Sequence, residues 1–329
     1  MTIHDLIANF ASKRILVVGD VMIDAYTLGK VNRVSPEAPV PIVSLEKQEE
    51  RLGGAANVAL NLQALGATAL LCSVIGNDRH GLRLCELMTE QQMSVAGIVK
   101  SNDRVTTVKT RVIGNNQHLL RIDAEDTHTL TAQEESAFIA TVTQLLQTEK
   151  IDAVIFEDYN KGVLSANVIE SLIAAAKSQN IPTTVDPKKT NFLAYKGVTL
   201  FKPNLKELKE GVGVSCSFKD RPEFDRAIGI LEQELQNDIT FVTLSENGVY
   251  IKQAANEKHV PAHIRTILDV SGAGDTVISV ATLCLAAGRS IETIAELSNL
   301  AGGLVCEKSG VVTILPGELI EECSDRTWN

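Results

Sequence analysis

Aromatic residues are scarce. One Trp, four Tyr and eight Phe make up 4% of 329 residues, so the core has to be built mainly from Val, Ile, Leu and Ala. Positive charge is also in deficit: 31 Lys and Arg face 41 Asp and Glu, a formal charge of −10. That balance excludes a general nucleic-acid binder, which needs a basic face to neutralise phosphates. It leaves room for small phosphorylated ligands, because a few Lys and Arg in one cleft suffice. No apolar run is long enough to span a membrane. The N-terminus places Asp5 and a short apolar stretch before Lys13 and Arg14, which is no signal-peptide core, so a soluble cytoplasmic protein is expected. Cys72, Cys85, Cys216, Cys284, Cys306 and Cys323 form no Cys-x-x-Cys pair, and reduced, buried thiols are the simplest reading. There is no Gly-x-x-x-x-Gly-Lys-Ser/Thr loop, and no Gly-x-Gly-x-x-Gly follows the first apolar strand. His259 and His263 are separated by Pro261, which forbids a helical metal-protease pair. With no low-complexity tract and no obvious linker, one domain over 1–329 is expected.

What is present is an alternation of short β-type runs and amphipathic helices. Ile15–Asp20 is a continuous apolar run ending in Gly-Asp, and the segments 69–75, 153–156, 183–185, 200–201 and 240–244 read similarly. Thr131 and Glu134 form a capping-box signature ahead of Phe138, Ile139, Val142, Leu145 and Leu146. Ile169, Leu172, Ile173 and Ala176 mark the next helix. Such alternation predicts an α/β fold, a doubly wound, mainly parallel sheet with helices on both faces. Two β-rich stretches break the rhythm. Residues 28–51 carry Pro36, Pro39 and Pro41, and residues 105–123 alternate around Gly114-Asn115-Asn116, a hairpin turn. Neither has a helix to cover a sheet face. Together they predict a small β-sheet lid, whose apolar Val40, Ile42, Val43, Leu119 and Ile122 call for a partner and so for a homodimer, with a monomeric lid folded back on its own core as the alternative.

The sharpest chemical feature is Asp269–Thr276 (DVSGAGDT), followed by the apolar helical run 277–287. Gly272, Ala273 and Gly274 let backbone N–H groups converge ahead of a helix N-terminus, an anion site. Asp275 then sits beside that site. Its charge repels a simple phosphate ligand but suits a base facing a hydroxyl that attacks phosphorus. A tight turn with an ordinary N-terminal acid fits the same residues. A second glycine pair, Gly53-Gly54, precedes Asn57 and the helix 58–65; Asn57 both donates and accepts hydrogen bonds, as reading sugar hydroxyls requires. Asp20 and Asp24 flank the end of the first strand, where open α/β sheets place ligands.

These motifs, in this order and over about residues 15–312, resemble the ribokinase-like, or PfkB, carbohydrate kinases. Gly53–Asn57 is similar to that family's first signature and Asp269–Thr276 to its second. Finer stretches resemble one subgroup, the D-glycero-β-D-manno-heptose 7-phosphate kinases of lipopolysaccharide precursor synthesis. They are Gly19–Asp24 (GDVMID), Ser35–Pro41 (SPEAPVP), Lys109-Thr-Arg111 with Gln117 and Arg121-Ile-Asp123, Asp158–Gly162 (DYNKG) and Val185–Lys188 (VDPK). Ser271, Asn160 and Lys189 depart from the residues usual there. Many such relatives carry a nucleotidyltransferase with a His-x-Gly-His motif, which this sequence lacks, so the kinase step alone is expected.

The resemblance implies ATP-dependent, Mg²⁺-requiring transfer of a phosphoryl group to the anomeric hydroxyl of a heptose 7-phosphate, with Asp275 as base. It implies a nucleotide side formed by Asn204, Glu207, Ser245, Asn247, Gly248 and Asn299, with Asn204 and Glu207 organising Mg²⁺ through water. It implies a monovalent-cation (K⁺) site at Asp269 and Ser271 beside residues 308–310. Asp158, together with Lys109, Arg111, Lys161 and Lys188 as holders of the remote phosphate, completes the substrate set. Another sugar or sugar phosphate remains an alternative substrate. A catalytically silent sugar or nucleotide sensor on the same fold is the alternative of a different class; retention of Asp275, Asn204 and Glu207 disfavours it.

Overall fold

The computed structural model describes residues 2–263 and 265–323. A helix, α1 (Ile3–Phe10), is started by Thr2 in a capping box with Asp5 and leads into β1 (Arg14–Gly19). The chain then leaves the core for two long strands, β2 (Val21–Val34) and β3 (Pro41–Gly54), and returns through α2 (Ala55–Ala64), β4 (Thr68–Gly76), α3 (Arg79–Glu90) and β5 (Gly97–Ser101). A second excursion, β6 (Val108–Gly114) and β7 (Gln117–Ala124), precedes α4 (Ala132–Thr148), β8 (Ala153–Glu157), α5 (Ala166–Ser178), β9 (Thr183–Asp186) and β10 (Leu200–Phe201). After α6 (Leu205–Val212) and α7 (Arg221–Leu235) come β11 (Ile239–Thr243) and the edge hairpin β12 (Val249–Gln253) and β13 (Asn256–Val260). Three helices finish the described chain: α8 (Ala273–Ala286), α9 (Ile291–Cys306) and α10 (Pro316–Cys323).

The large sheet has the order β13-β12-β11-β10-β9-β8-β1-β4-β5, and every neighbour pair from β11 to β5 is parallel. Residues of β1 alternate strictly between its two faces, as a strand's period of two demands. Ile15 and Val17 join the apolar layer under α1, α2, α3, α8, α9 and α10. Leu16 and Val18 join the layer under α4, α5, α6 and α7. The doubly wound core expected from the alternation is therefore observed. Strand order reverses between β1 and β8, so the crevice beyond their carboxyl ends is where such a sheet accepts ligands.

The two excursions do pair into one separate sheet, in the order β3-β2-β6-β7, with β2 and β6 parallel. Asn115 and Asn116 both take positive φ in the turn between β6 and β7, as a tight hairpin requires. The lid is longer than expected: it begins at Val21 and ends at Gly54, against the expected 28–51. Only Asp20 separates β1 from β2, so the apolar run through both hid the place where the chain changes sheet. Register puts Asp24, Tyr26, Arg51, Glu49, Lys109, Arg111, Arg121 and Asp123 on one face. The other face carries Thr27, Gln48, Glu50 and Thr110 nearer the core together with Val31, Val43, Leu45, Val112, Leu120 and Ile122, of which Leu45, Leu120 and Ile122 are 57%, 59% and 53% exposed. Of the apolar lid residues expected to need a partner, Val43 and Ile122 lie on this face. Val40 lies in the 35–40 loop between β2 and β3.

Candidate active site

Helix α8 begins at Ala273, earlier than its apolar run suggests, because Gly272 serves as N-cap in the left-handed region (φ 79°). Gly272, Ala273 and Gly274 are thus the cap and first turn, whose amides have no partner within the helix. Asp275, also on that turn, is buried and held at both oxygens. Asn57 Nδ2 donates to Oδ2 at 2.6 Å, and the Tyr159 hydroxyl donates to Oδ1 at 2.9 Å. Burial is the main force on this carboxyl. Asp186 adds to it, the two hydrogen bonds and Lys202 oppose it, and the pKa ends up raised to about 6. A base with that pKa is ionised at neutral pH yet still basic enough to take a proton.

Asn57 belongs to the first turn of α2, which starts at Ala55, not after Asn57 as expected. A polar seam between α2 and α8 fixes it. Thr276 donates to Asn61 Oδ1 at 3.0 Å, Asn61 Nδ2 donates to the Asn57 carbonyl at 3.0 Å, and Ser279 Oγ donates to the Asp275 carbonyl at 2.6 Å. Asn61, Tyr159 and Ser279 were not anticipated. The one available signal was Asn57 and Asn61 one helical turn apart on an otherwise apolar helix.

Beside Asp275 lies a charged group that sequence reasoning largely missed. Single oxygens of Glu157, Asp186 and Asp275 lie within 4.8 Å of one another, all buried. Lys202, 2% exposed, donates to Asp186 at 2.8 Å and holds that carboxyl below its usual range against the cost of burial. Glu157 Oε2 is buried without a hydrogen-bond partner, and burial with the neighbouring Asp186 and Asp275 raises this carboxyl well above its ordinary pKa. Glu157 ends β8 and Asp186 ends β9, so the sheet's carboxyl edge supplies the group. The first turn of α8 passes close to this pair: a Cβ on Gly274 would stand 3.5 Å from Asp186 Oδ2 and 3.9 Å from Lys202 Nζ.

The expected substrate residues separate into three groups. Lys188 joins the catalytic cluster: its Nζ donates to Glu207 Oε1 at 2.8 Å, lies 3.6 Å from Asp186 and sits over the Tyr159 ring. It was expected among the holders of the remote phosphate, and within the chain its partners are these acids and the Tyr159 ring. Lys109, Arg111 and Lys161 form a second group with the lid's acids. Arg111 is paired with Asp24, while Lys109 and Lys161 both reach Glu125. Gly53 lies under this group, since a Cβ there would meet Asp24 Oδ2 at 2.3 Å; Gly54 takes φ 63°, with its Cβ position 2.5 Å from the Asp20 carbonyl. The third group, Asp20 and Asp158, is engaged by donors of the chain itself. Asp20 accepts the amides of Tyr159, Lys161 and Val163 at 2.9, 3.1 and 3.1 Å, and Asp158 accepts the Asn160 amide and the Tyr195 hydroxyl. Both carboxylates brace the loop that presents Tyr159 and Lys161, where contact with substrate was expected. Gln117 is paired with Gly114 at the far end of the hairpin, about 16 Å along β6 from Lys109, and does not join the others within this chain.

On the expected nucleotide side, Asn204 and Glu207 form the capping box of α6, each side chain accepting the other's backbone amide at 2.8 Å. Ser245, Asn247 and Gly248 make the turn between β11 and β12, with Ser245 and Gly248 at positive φ. His259 Nε2 and the Asn247 carbonyl lie 2.7 Å apart. Asn299 on α9 donates to the Pro261 carbonyl at 2.9 Å, so its amide braces the neighbouring segment. Asp269 accepts the amides of Ser271 and Gly310 at 2.9 and 3.0 Å, which joins the two expected cation-site segments and, through the Ser271 bonds first, holds the carboxyl below its usual range. Among the described residues no helix is long and apolar enough to cross a membrane.

The pfkB family of carbohydrate kinases matches residues 12–317. The chain is 41% identical over 312 residues to the bifunctional protein HldE of Methylobacillus flagellatus, covering 94% of this chain and 62% of that protein. It therefore spans less than two thirds of that relative's length. In fold it is similar to Escherichia coli phosphofructokinase-2 solved with potassium (TM-score 0.78, 20% identity, 95% of this chain and 98% of that one). It is also similar to Arabidopsis thaliana ribokinase complexed with ribose and ATP (TM-score 0.71, 15% identity, 94% and 98%).

Proposed function

The chain belongs to the pfkB family of carbohydrate kinases, and from that premise we propose that it transfers the γ-phosphoryl group of ATP to the anomeric hydroxyl of D-glycero-D-manno-heptose 7-phosphate, giving the 1,7-bisphosphate. The observation that carries the reading is Asp275: a buried carboxylate with a raised pKa on the first turn of α8, beside amides suited to a phosphoryl group. The acceptor hydroxyl lies against Asp275, whose orientation Asn57 and Tyr159 fix, and it gives up its proton late, as phosphoryl transition states are loose. Amides of Gly272–Asp275, with Lys202 behind them, stabilise the charge on the transferring group. The lid excludes water and limits wasteful hydrolysis of ATP.

Hard oxygen donors suit magnesium, and the unpartnered Glu157 oxygen near Asp186 fits an ion better than Asn204 and Glu207, which cap each other while Glu207 also holds Lys188. When bound, Mg²⁺ neutralises and orients the oxygens of ATP. Joined at Asp269, the segments 269–271 and 308–310 support a monovalent cation there. The apolar outer face of the lid supports a homodimer in which a second copy covers Leu45, Leu120 and Ile122.

For the sugar, the support is the resemblance of the lid and loop motifs to heptose 7-phosphate kinases together with the basic group at Lys109, Arg111 and Lys161. ADP release with ATP-Mg²⁺ and a panel of sugars and sugar phosphates tests it. Heptose 7-phosphate is expected to exceed ribose, fructose and unphosphorylated heptose in kcat/KM by at least about 100-fold, the scale of lost orientation and charge-assisted contacts. Equal kcat/KM for unphosphorylated heptose would reject the sugar assignment.

A further inference from the structure

Glu125, directly after β7, lies between two ammonium groups supplied by different parts of the fold. Its Oε2 accepts from Lys109 Nζ of lid strand β6 at 3.2 Å, and its Oε1 accepts from Lys161 Nζ of the core loop at 2.7 Å. The side chains are only 16%, 16% and 23% exposed for Lys109, Lys161 and Glu125. Asp123 gives Lys109 a second acceptor at 3.3 Å. Behind the pair, Arg104 is buried, donates to the Lys161 carbonyl and has Nη1 without a partner. Two lysines converging on one two-oxygen anion make a grip that suits any compact oxyanion. The same loop presents Tyr159 to Asp275 two residues before Lys161, and the register puts Lys109 beside Asp24 above Gly53. The 159–161 loop therefore links the grip to the base.

We propose that Glu125 is the resident counter-ion of the seat for the substrate's phosphate: it occupies the Lys109–Lys161 grip until a phosphate monoester displaces it, and so sets selectivity for phosphorylated over unphosphorylated sugars. A carboxylate brings one negative charge and two oxygens. A phosphate monoester brings about 1.5–2 negative charges and three oxygens near neutral pH, so it wins the exchange. An uncharged sugar has nothing to offer the lysines and leaves Glu125 in place. Once the phosphate is seated, it replaces Glu125 as the bridge between lid and core. The identity of the ligand rests on the sugar-phosphate reading above; the competition does not.

The variant Glu125→Gln keeps the shape and removes the charge, while Asp123 still pairs with Lys109 to hold the lid strand. Calorimetry of the ATP-free chain with inorganic phosphate as probe is expected to show about 10-fold tighter binding in Glu125→Gln than in the wild type. The gain should vanish in the double variant with Lys161→Met, and affinity for unphosphorylated heptose should stay within about two-fold in all three proteins. Phosphate affinity that is unchanged or weaker in a folded Glu125→Gln overturns the proposal and makes Glu125 a support for the lysines. If phosphate binds tighter in the variant but heptose 7-phosphate is no substrate, the counter-ion role stands and the sugar assignment falls. If heptose 7-phosphate is a substrate but the variant shows no gain, the reverse holds.

Discussion

In the proposed reaction Asp275 carries most of the chemistry, and its environment makes two separate predictions. Replacing it with Asn keeps size and removes basicity, so kcat should fall by about 10²–10⁴-fold while ATP affinity survives. Isothermal titration with ATP alongside turnover checks both halves; near-normal turnover in the folded variant refutes the role. In the wild type, kcat/KM should rise with pH and level off above about 6, the pKa of the buried carboxyl. Stability has the opposite sign. The folded carboxyl holds its proton more tightly than the unfolded one, whose pKa is 3.8, so its ionisation costs nothing below that value. The cost grows as pH rises through the interval and is complete above about 6. Asp275→Asn should therefore be more stable than the wild type at pH 7.5, by about 1–3 kcal/mol, with the advantage shrinking toward pH 4. Urea unfolding at the two pH values measures it. Asp275 was readable in the sequence because a Gly-x-Gly-Asp turn before an apolar helix is a local pattern. Glu157, Asp186, Lys202 and Tyr159 were not, since their partnership exists only where β8, β9 and α8 meet in space.

At the scale of elements, six of the parallel strands and the helices α2, α4, α5 and α8 were legible, whereas β5 and the changes of sheet were not. Periodicity identifies a buried strand, but one apolar run covers both β1 and β2, and nothing local marks Asp20 as the switch. Asp20 does that work by accepting three amides of the 159–163 loop, a role that becomes visible only when the loop is seen folded over it. Gly53 was legible as part of the glycine pair ahead of Asn57, and the group that comes closest to it is the chain's own Asp24 carboxylate. In Gly53→Ala the new methyl would meet Asp24 Oδ2 at 2.3 Å and push it off Arg111. Sugar KM should rise by about 10-fold or more, the scale of a lost charge-assisted contact, with ATP KM nearly constant. An equal rise in both constants would instead mean that the alanine disturbs α2 and its seam with α8.

The whole molecule combines a core sheet covered on both faces with a lid sheet whose outer strands are largely exposed. Leu45 on one edge strand of the lid and Leu120 and Ile122 on the other stand exposed on the same face, an arrangement a single chain leaves in water. Introducing charge there, as Leu45→Glu with Ile122→Glu, should convert a dimer into monomers in sedimentation velocity at micromolar concentration. A wild-type chain that already sediments as a monomer of 35.5 kDa contradicts the dimer. The fold itself was legible from its alternation, whereas the face on which a partner sits depends on register, which a two-residue hairpin fixes and composition does not. All of these scales meet in one reaction, and the most direct test follows its product by ³¹P NMR, with ATP, Mg²⁺ and heptose 7-phosphate as the starting mixture. The account predicts that the γ-phosphate signal of ATP is replaced by that of a sugar phosphate coupled to the anomeric proton, with the original 7-phosphate signal retained. Consumption of ATP to free phosphate alone, or no consumption by the folded chain, would contradict it.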